Sequence, residues 1–264
     1  MLFSLLFSIL NYSNAPVHTS APLNYVRASE NKYDNGYSED RYNEVLELIK
    51  TIYSPLIQDR NGSFHIMSDW SDGAVNMWAW KWGSEYWLEI PGGMARYHLI
   101  NEEAFVLSIC HELGHLLGGA PGKDPISYEG QSDYFASLKC MKRVMPQLKP
   151  LVKLQSSPEV KEACEDLSHV KTGVCERTLE GALSLSSYYA ELEKALKPSL
   201  LTPSLSIVST TMNAHPPAQC RLDTFYAGIE CSADINEPLD FSDIGLGACE
   251  GEEKGSRPRC WFYN

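Results

Sequence analysis

Once wound into a helix, the run from Ala104 to Gly119, AFVLSICHELGHLLGG, is apolar on almost every side. Such a helix needs protein all around it, so the rest of the chain has to build a core that encloses this segment. Asn101 can cap the helix, Glu102 and Glu103 suit the positive end of its dipole, and Gly118, Gly119 and Pro121 stop it. Inside the run lie His111, Glu112 and His115. Three polar side chains buried without partners would be costly. Histidines four apart share one helix face and can grip a single metal ion, and the spacing HExxH is that of a zinc site.

With 264 residues, 44% of them hydrophobic and 21% charged, the chain suffices for one domain with a sizeable core plus an appendage. A formal net charge of -12 argues against nucleic acid or an anionic membrane surface as partner. The apolar run Leu2 to Leu10 is too short to span a bilayer and reads, with the small residues around Ser13 and Ala15, as a secretory signal over residues 1–21. No other segment is long and apolar enough to cross a membrane, so the expected location is exported, periplasmic or extracellular.

Eight cysteines fit an oxidising compartment, and none forms a CxxC pair. Three neighbouring pairs share one spacing, and local bridges are expected between Cys164 and Cys175, Cys220 and Cys231, and Cys249 and Cys260. Cys110 and Cys140 remain. If the two helices that carry them are straight and antiparallel, with Glu129 level with His115, Cys140 lies about 16 Å further along its helix. A disulfide needs Cα atoms within about 7 Å. No bridge is expected between them: Cys110 would be a buried free thiol, and Cys140 free or paired into the C-terminal region.

Along the chain, residues 22–38 read as a loose lead-in. Tyr42, Val45, Leu46, Ile49 and Ile52 recur at helical spacing behind Ser38, and Pro55 is expected to end that helix. GSFHIMSDW, AVNMWAWKWG and SEYWLEI read as strands, the last stopped by PGG. Trp78, Trp80 and Trp82 would share one strand face, expected to pack on a helix rather than to offer a platform for a sugar or peptide. SYEGQSDYFASLKCMKRVM reads as a second helix ending at Pro146, and a further helix is expected from Cys175 to Leu196. The rest looks like a loop-rich, disulfide-stapled end.

A catalytic zinc normally takes a third protein ligand. In the pattern HExxHxxGxxH a histidine follows the glycine, but Pro121 stands there and has no donor atom. The gluzincins instead take a glutamate from a following helix in an ExxxD pattern, which Glu129 and Asp133 supply. Glu129 would then bind zinc with His111 and His115. Asp133 would hold the outer nitrogen of a ligand histidine, His111, and fix its orientation. Downstream, HPPAQCR places His215 and Arg221 in the pattern HPxxxxR.

HExxH, an ExxxD-like helix and HPxxxxR, in that order, resemble the gluzincin family of the CAAX-type proteases, the HtpX heat-shock protease and the BepA-like periplasmic proteases. The resemblance covers less than a third of the chain. It implies a single-zinc endopeptidase acting on proteins or peptides, with His215 and Arg221 approaching the metal to stabilise or block the site. The expected fold is α+β and zincin-like: a small N-terminal sheet, an active-site helix and a ligand helix within residues 22–200, then a Cys-rich region over 201–264 that carries HPxxxxR. In the expected mechanism Glu112 takes a proton from a metal-activated water. Arg221 or His215, or else Tyr128 or Tyr134, helps stabilise the oxyanion, and SEYWLEI forms the edge along which a peptide pairs. The competing functions are a zincin scaffold that binds without cleaving and a zinc amidase acting on cell-wall peptides.

Overall fold

The structure is a computed structural model that describes residues 25–26, 33–151 and 155–263; the expected signal over residues 1–21 lies outside them. It is a mixed α+β chain. Helix α1, Glu39–Gln58, starts where the Ser38 hydroxyl accepts from the Arg41 N–H at 3.2 Å, and it buries a stripe of Tyr42, Val45, Leu46, Ile49, Tyr53 and Ile57. Pro55 does not end this helix, contrary to expectation. Thr51, whose carbonyl loses its partner to the proline, is exposed, as is Pro55, so water replaces the missing bond and the cost stays small.

Strands β1, Ser63–Asp69, β2, Trp78–Trp82, and β3, Glu85–Pro91, form one sheet in the order β1-β3-β2. β3 pairs parallel with β1 and antiparallel with β2. The strand SEYWLEI is therefore central, not the edge expected for peptide pairing. Its alternate residues Tyr86, Leu88 and Ile90 are buried, which suits a central strand over a core. The edge that packs beside the histidine-bearing helix is β2.

The tryptophan alternation also points the other way from expectation. Ala79 pairs with Leu88 and Lys81 with Tyr86 on the core side, so Trp78, Trp80 and Trp82 occupy the opposite, outer face. Trp82 is 75% exposed. Alternation puts the three residues on one face without saying which, and the aliphatic residues of β3 claim the core.

A short helix α2, Gly92–Arg96, leads into α3, Glu102–Leu117, which the Asn101 side chain caps by accepting from the Ala104 N–H at 2.7 Å. Nearly all of α3 is buried. At its start, buried Glu102 and Glu103 receive Arg41 and Arg177 at 2.5 and 2.9 Å, so the charges at the helix N-terminus are mutually compensated. After Gly119, at φ +64°, a two-stranded hairpin of β4, Gly122–Lys123, and β5, Ile126–Ser127, returns the chain to α4, Glu129–Phe135. A Cβ on Gly119 would lie 2.6 Å from the Asp240 backbone nitrogen.

Helix α4 continues through a π-helical turn, Ala136–Cys140, into α5, Met141–Val144. Then come α6, Pro158–Glu165, α7, Thr172–Glu193, and α8, Ala218–Glu230. Helix α7 lies against α3, and α8 against α4 and α7, so residues beyond 201 share the core that encloses α3.

Four disulfides join Cys110–Cys140, Cys164–Cys175, Cys220–Cys260 and Cys231–Cys249, leaving no free cysteine among the described residues. Cys164–Cys175 is the local bridge expected, closing the turn between α6 and α7. The other two eleven-spaced pairs do not form. Cys220 and Cys231 stand at the two ends of α8, and eleven helical residues span about 16 Å, too far for a bond. Cys260 and Cys249 instead clasp those two ends.

Cys110 and Cys140 are bonded, with Cα atoms 5.5 Å apart, against the expectation of a free thiol. Two features bring them together. The close approach of α3 and α4 is Gly114 on Ser132, where an added Cβ would lie 2.6 Å from the Ser132 Cα, rather than His115 level with Glu129. The π-helical turn before Cys140 is also wider than an α-turn, so the chain advances less along its axis. The disulfides point to an oxidising, non-cytoplasmic compartment, and no helix among the described residues is long and apolar enough to cross a membrane.

Candidate metal centre

His111 and His115 project from one face of α3, their rings 4.7 Å apart and nearly perpendicular. Helix α4 opens with Glu129, whose Oε2 lies 3.2 Å from His111 Nε2 and 3.6 Å from His115 Nε2. One ligand atom from each of the three residues falls within 4.8 Å of the others. Gly114 makes this possible, because only a residue without a side chain lets α3 and α4 approach so closely.

The outer nitrogens of both imidazoles are occupied. His111 Nδ1 donates to Asp133 Oδ1 at 2.7 Å. His115 Nδ1 lies 2.9 Å from the Ser127 carbonyl, presented by the β4–β5 hairpin, and 2.9 Å from the Ser132 hydroxyl. A carboxylate and a carbonyl only accept, so in its neutral, metal-binding form each ring carries its proton on Nδ1 and turns an Nε2 lone pair inward. Glu129 Oε2 then faces lone pairs, and it is buried with no hydrogen-bond partner. A buried anionic oxygen among inward lone pairs fits a cation, and a His-His-Glu donor set suits zinc.

Burial disfavours the imidazolium of His111, but Asp133 and Glu129 outweigh it and hold the pKa of the metal-free ring up at about 10. Burial would raise the Glu129 carboxyl, yet the neighbouring imidazoles hold it well below the usual carboxylate range. Glu112 follows His111 in the same turn and makes no ion pair or hydrogen bond with a described residue; burial pushes its carboxyl up.

Arg221, on α8, grips Asp133 with two bonds of 2.7 Å and is itself buried. Both donors are committed to that carboxylate, which in turn orients His111. Arg221 therefore positions His111 through Asp133. His215 comes to the cluster, its Nε2 3.1 Å from Glu129 Oε2 with the side chain 48% exposed. Burial lowers its pKa. Of the alternative donors, Tyr134 points away, its hydroxyl donating to the Gly255 carbonyl at 2.6 Å; the Tyr128 hydroxyl makes no described contact with the cluster.

Three participants carry no motif. Ser127 and Ser132 orient His115, and Tyr189 on α7 lies under the Arg221 guanidinium, 3.8 Å from ring centre to carbon. Helix α8 itself was signalled by Pro217 at its start and by Leu222, Phe225 and Ile229 at helical spacing. No family model, curated protein or solved structure matches the chain, so the site is read from its own residues.

Proposed function

We propose that this chain is an exported, zinc-dependent endopeptidase of gluzincin type, with His111, His115 and Glu129 as metal ligands and Glu112 as general base. The observation that carries the reading is Glu129 Oε2: buried, with no hydrogen-bond partner, and set beside the Nε2 atoms of two imidazoles whose Nδ1 atoms are held elsewhere. Bound zinc supplies Lewis acidity, which polarises a carbonyl and makes water acidic enough to react at neutral pH.

The chain's own groups do the rest. Glu112, free of partners and with its affinity for protons raised by burial, takes a proton from the attacking water and passes it to the departing amine. His215, the exposed member of the cluster, donates to the developing oxyanion. Arg221 and Asp133 keep the His111 ring fixed while charge builds nearby. An extended peptide adding to the sheet beside α3 pairs with β2, the edge strand there. The test is degradation of an unfolded protein such as reduced casein. Activity should vanish with chelator and return with zinc; persistence in chelator would refute the reading.

A further inference from the structure

The outer face of the three-stranded sheet is built in three rows. Met67, Glu89 and Trp78 form one; His65, Trp87 and Trp80 the next; Ser63, Glu85 and Trp82 the third. In the middle row His65 stacks on Trp87 at 4.2 Å, and Trp87 lies parallel to Trp80 at 5.9 Å. Trp82 and Met67 are 75% and 47% exposed. Trp78, Trp80 and Trp87 are half-buried beside them on this outer face, an apolar cluster of the kind that marks binding surfaces.

The charge on this face has one sign. Glu85 and Glu89 stand on either side of Trp87, each opposite a tryptophan of β2, and neither has a basic partner among the described residues. The lysine of β2, Lys81, projects to the other side, its Nζ 4.5 Å from the centre of the Tyr86 ring. Indoles flanked by unpaired carboxylates complement guanidinium and ammonium groups, which are drawn to aromatic faces and to carboxylates together. A neutral sugar would leave the charge of Glu85 and Glu89 uncompensated, whereas a cationic side chain pairs with it.

We propose that this face binds a basic segment of a polypeptide, its arginine or lysine side chains seated among Trp78, Trp80, Trp82 and Trp87 and against Glu85 and Glu89. The proposal is independent of the metal chemistry. It is tested with fluorescein-labelled nona-arginine and the full chain, by anisotropy at physiological salt with chelator present. Glu85→Gln/Glu89→Gln should weaken binding about tenfold and Trp82→Ala several-fold. Glu47→Gln/Glu162→Gln, which removes the same charge from exposed positions on α1 and α6, should change it less than about twofold. Equal weakening by the control pair would reduce the effect to net charge and overturn the proposal. So would no change in Trp82→Ala, displacement of the peptide by cellohexaose, or self-association through this face seen by sedimentation. Unchanged melting temperatures in these isosteric or surface variants keep the comparison clean.

Discussion

At Glu129 the chain sets a buried carboxylate oxygen against imidazoles whose protons are engaged elsewhere. Removing that carboxylate should abolish tight metal binding: metal analysis should find about one zinc per chain in the wild type and little in Glu129→Ala. Glu112→Gln keeps the shape and the metal but should cut hydrolysis by at least about a hundredfold; near-normal turnover would remove Glu112 from the mechanism. Arg221→Lys keeps the charge but loses the two-pronged grip on Asp133, and zinc affinity should fall about tenfold or more. The raised pKa of His111 gives a sign for pH dependence. Below about 10 the metal-free ring holds a second proton, on Nε2, that must leave as zinc binds, so affinity should drop about tenfold per unit as pH falls from 9 to 7. Chelator competition at three pH values measures this, and a flat profile would contradict it.

At the scale of elements, the contact that matters most is the one between α3 and α4. Gly114→Ala places a methyl group against the Ser132 backbone, and the strain should cost about 1–3 kcal/mol and lower zinc affinity with it, both read from chemical denaturation with and without metal. What the sequence could show here follows from distance along the chain. His111, His115, Glu129 and Asp133 belong to two neighbouring helices, and their spacing states their geometry. The Gly114–Ser132 approach and the π-helical turn arise from packing, so the Cys110–Cys140 bond could not be read from an ideal antiparallel pair. The order β1-β3-β2 and the outward turn of Trp78, Trp80 and Trp82 depend on which strand lies centrally, which alternation cannot state. The role of Arg221 is hidden for the same reason, because its partner Asp133 lies far off in sequence and meets it only through the packing of α8 on α4.

Across the whole molecule, segments remote in sequence back the site. Trp261 is fully buried, and its ring lies where a Cβ on Gly130 would be, directly behind Glu129. The adjacent Cys260 is tied to Cys220, next to Arg221, and the Met212 N–H donates to the Trp261 carbonyl at 2.8 Å in the segment leading to His215. Trp261→Ala should cost about 3–5 kcal/mol of stability and weaken metal binding, whereas Trp82→Ala should do neither; calorimetry and zinc titration separate the two. This buttress has a consequence in time. During synthesis the histidines and Glu129 emerge long before Trp261 and Cys260, and the clasp closes only where thiols can be oxidised. Under the proposed function the centre would thus be completed last, after export, and the cell's own nascent proteins would be spared.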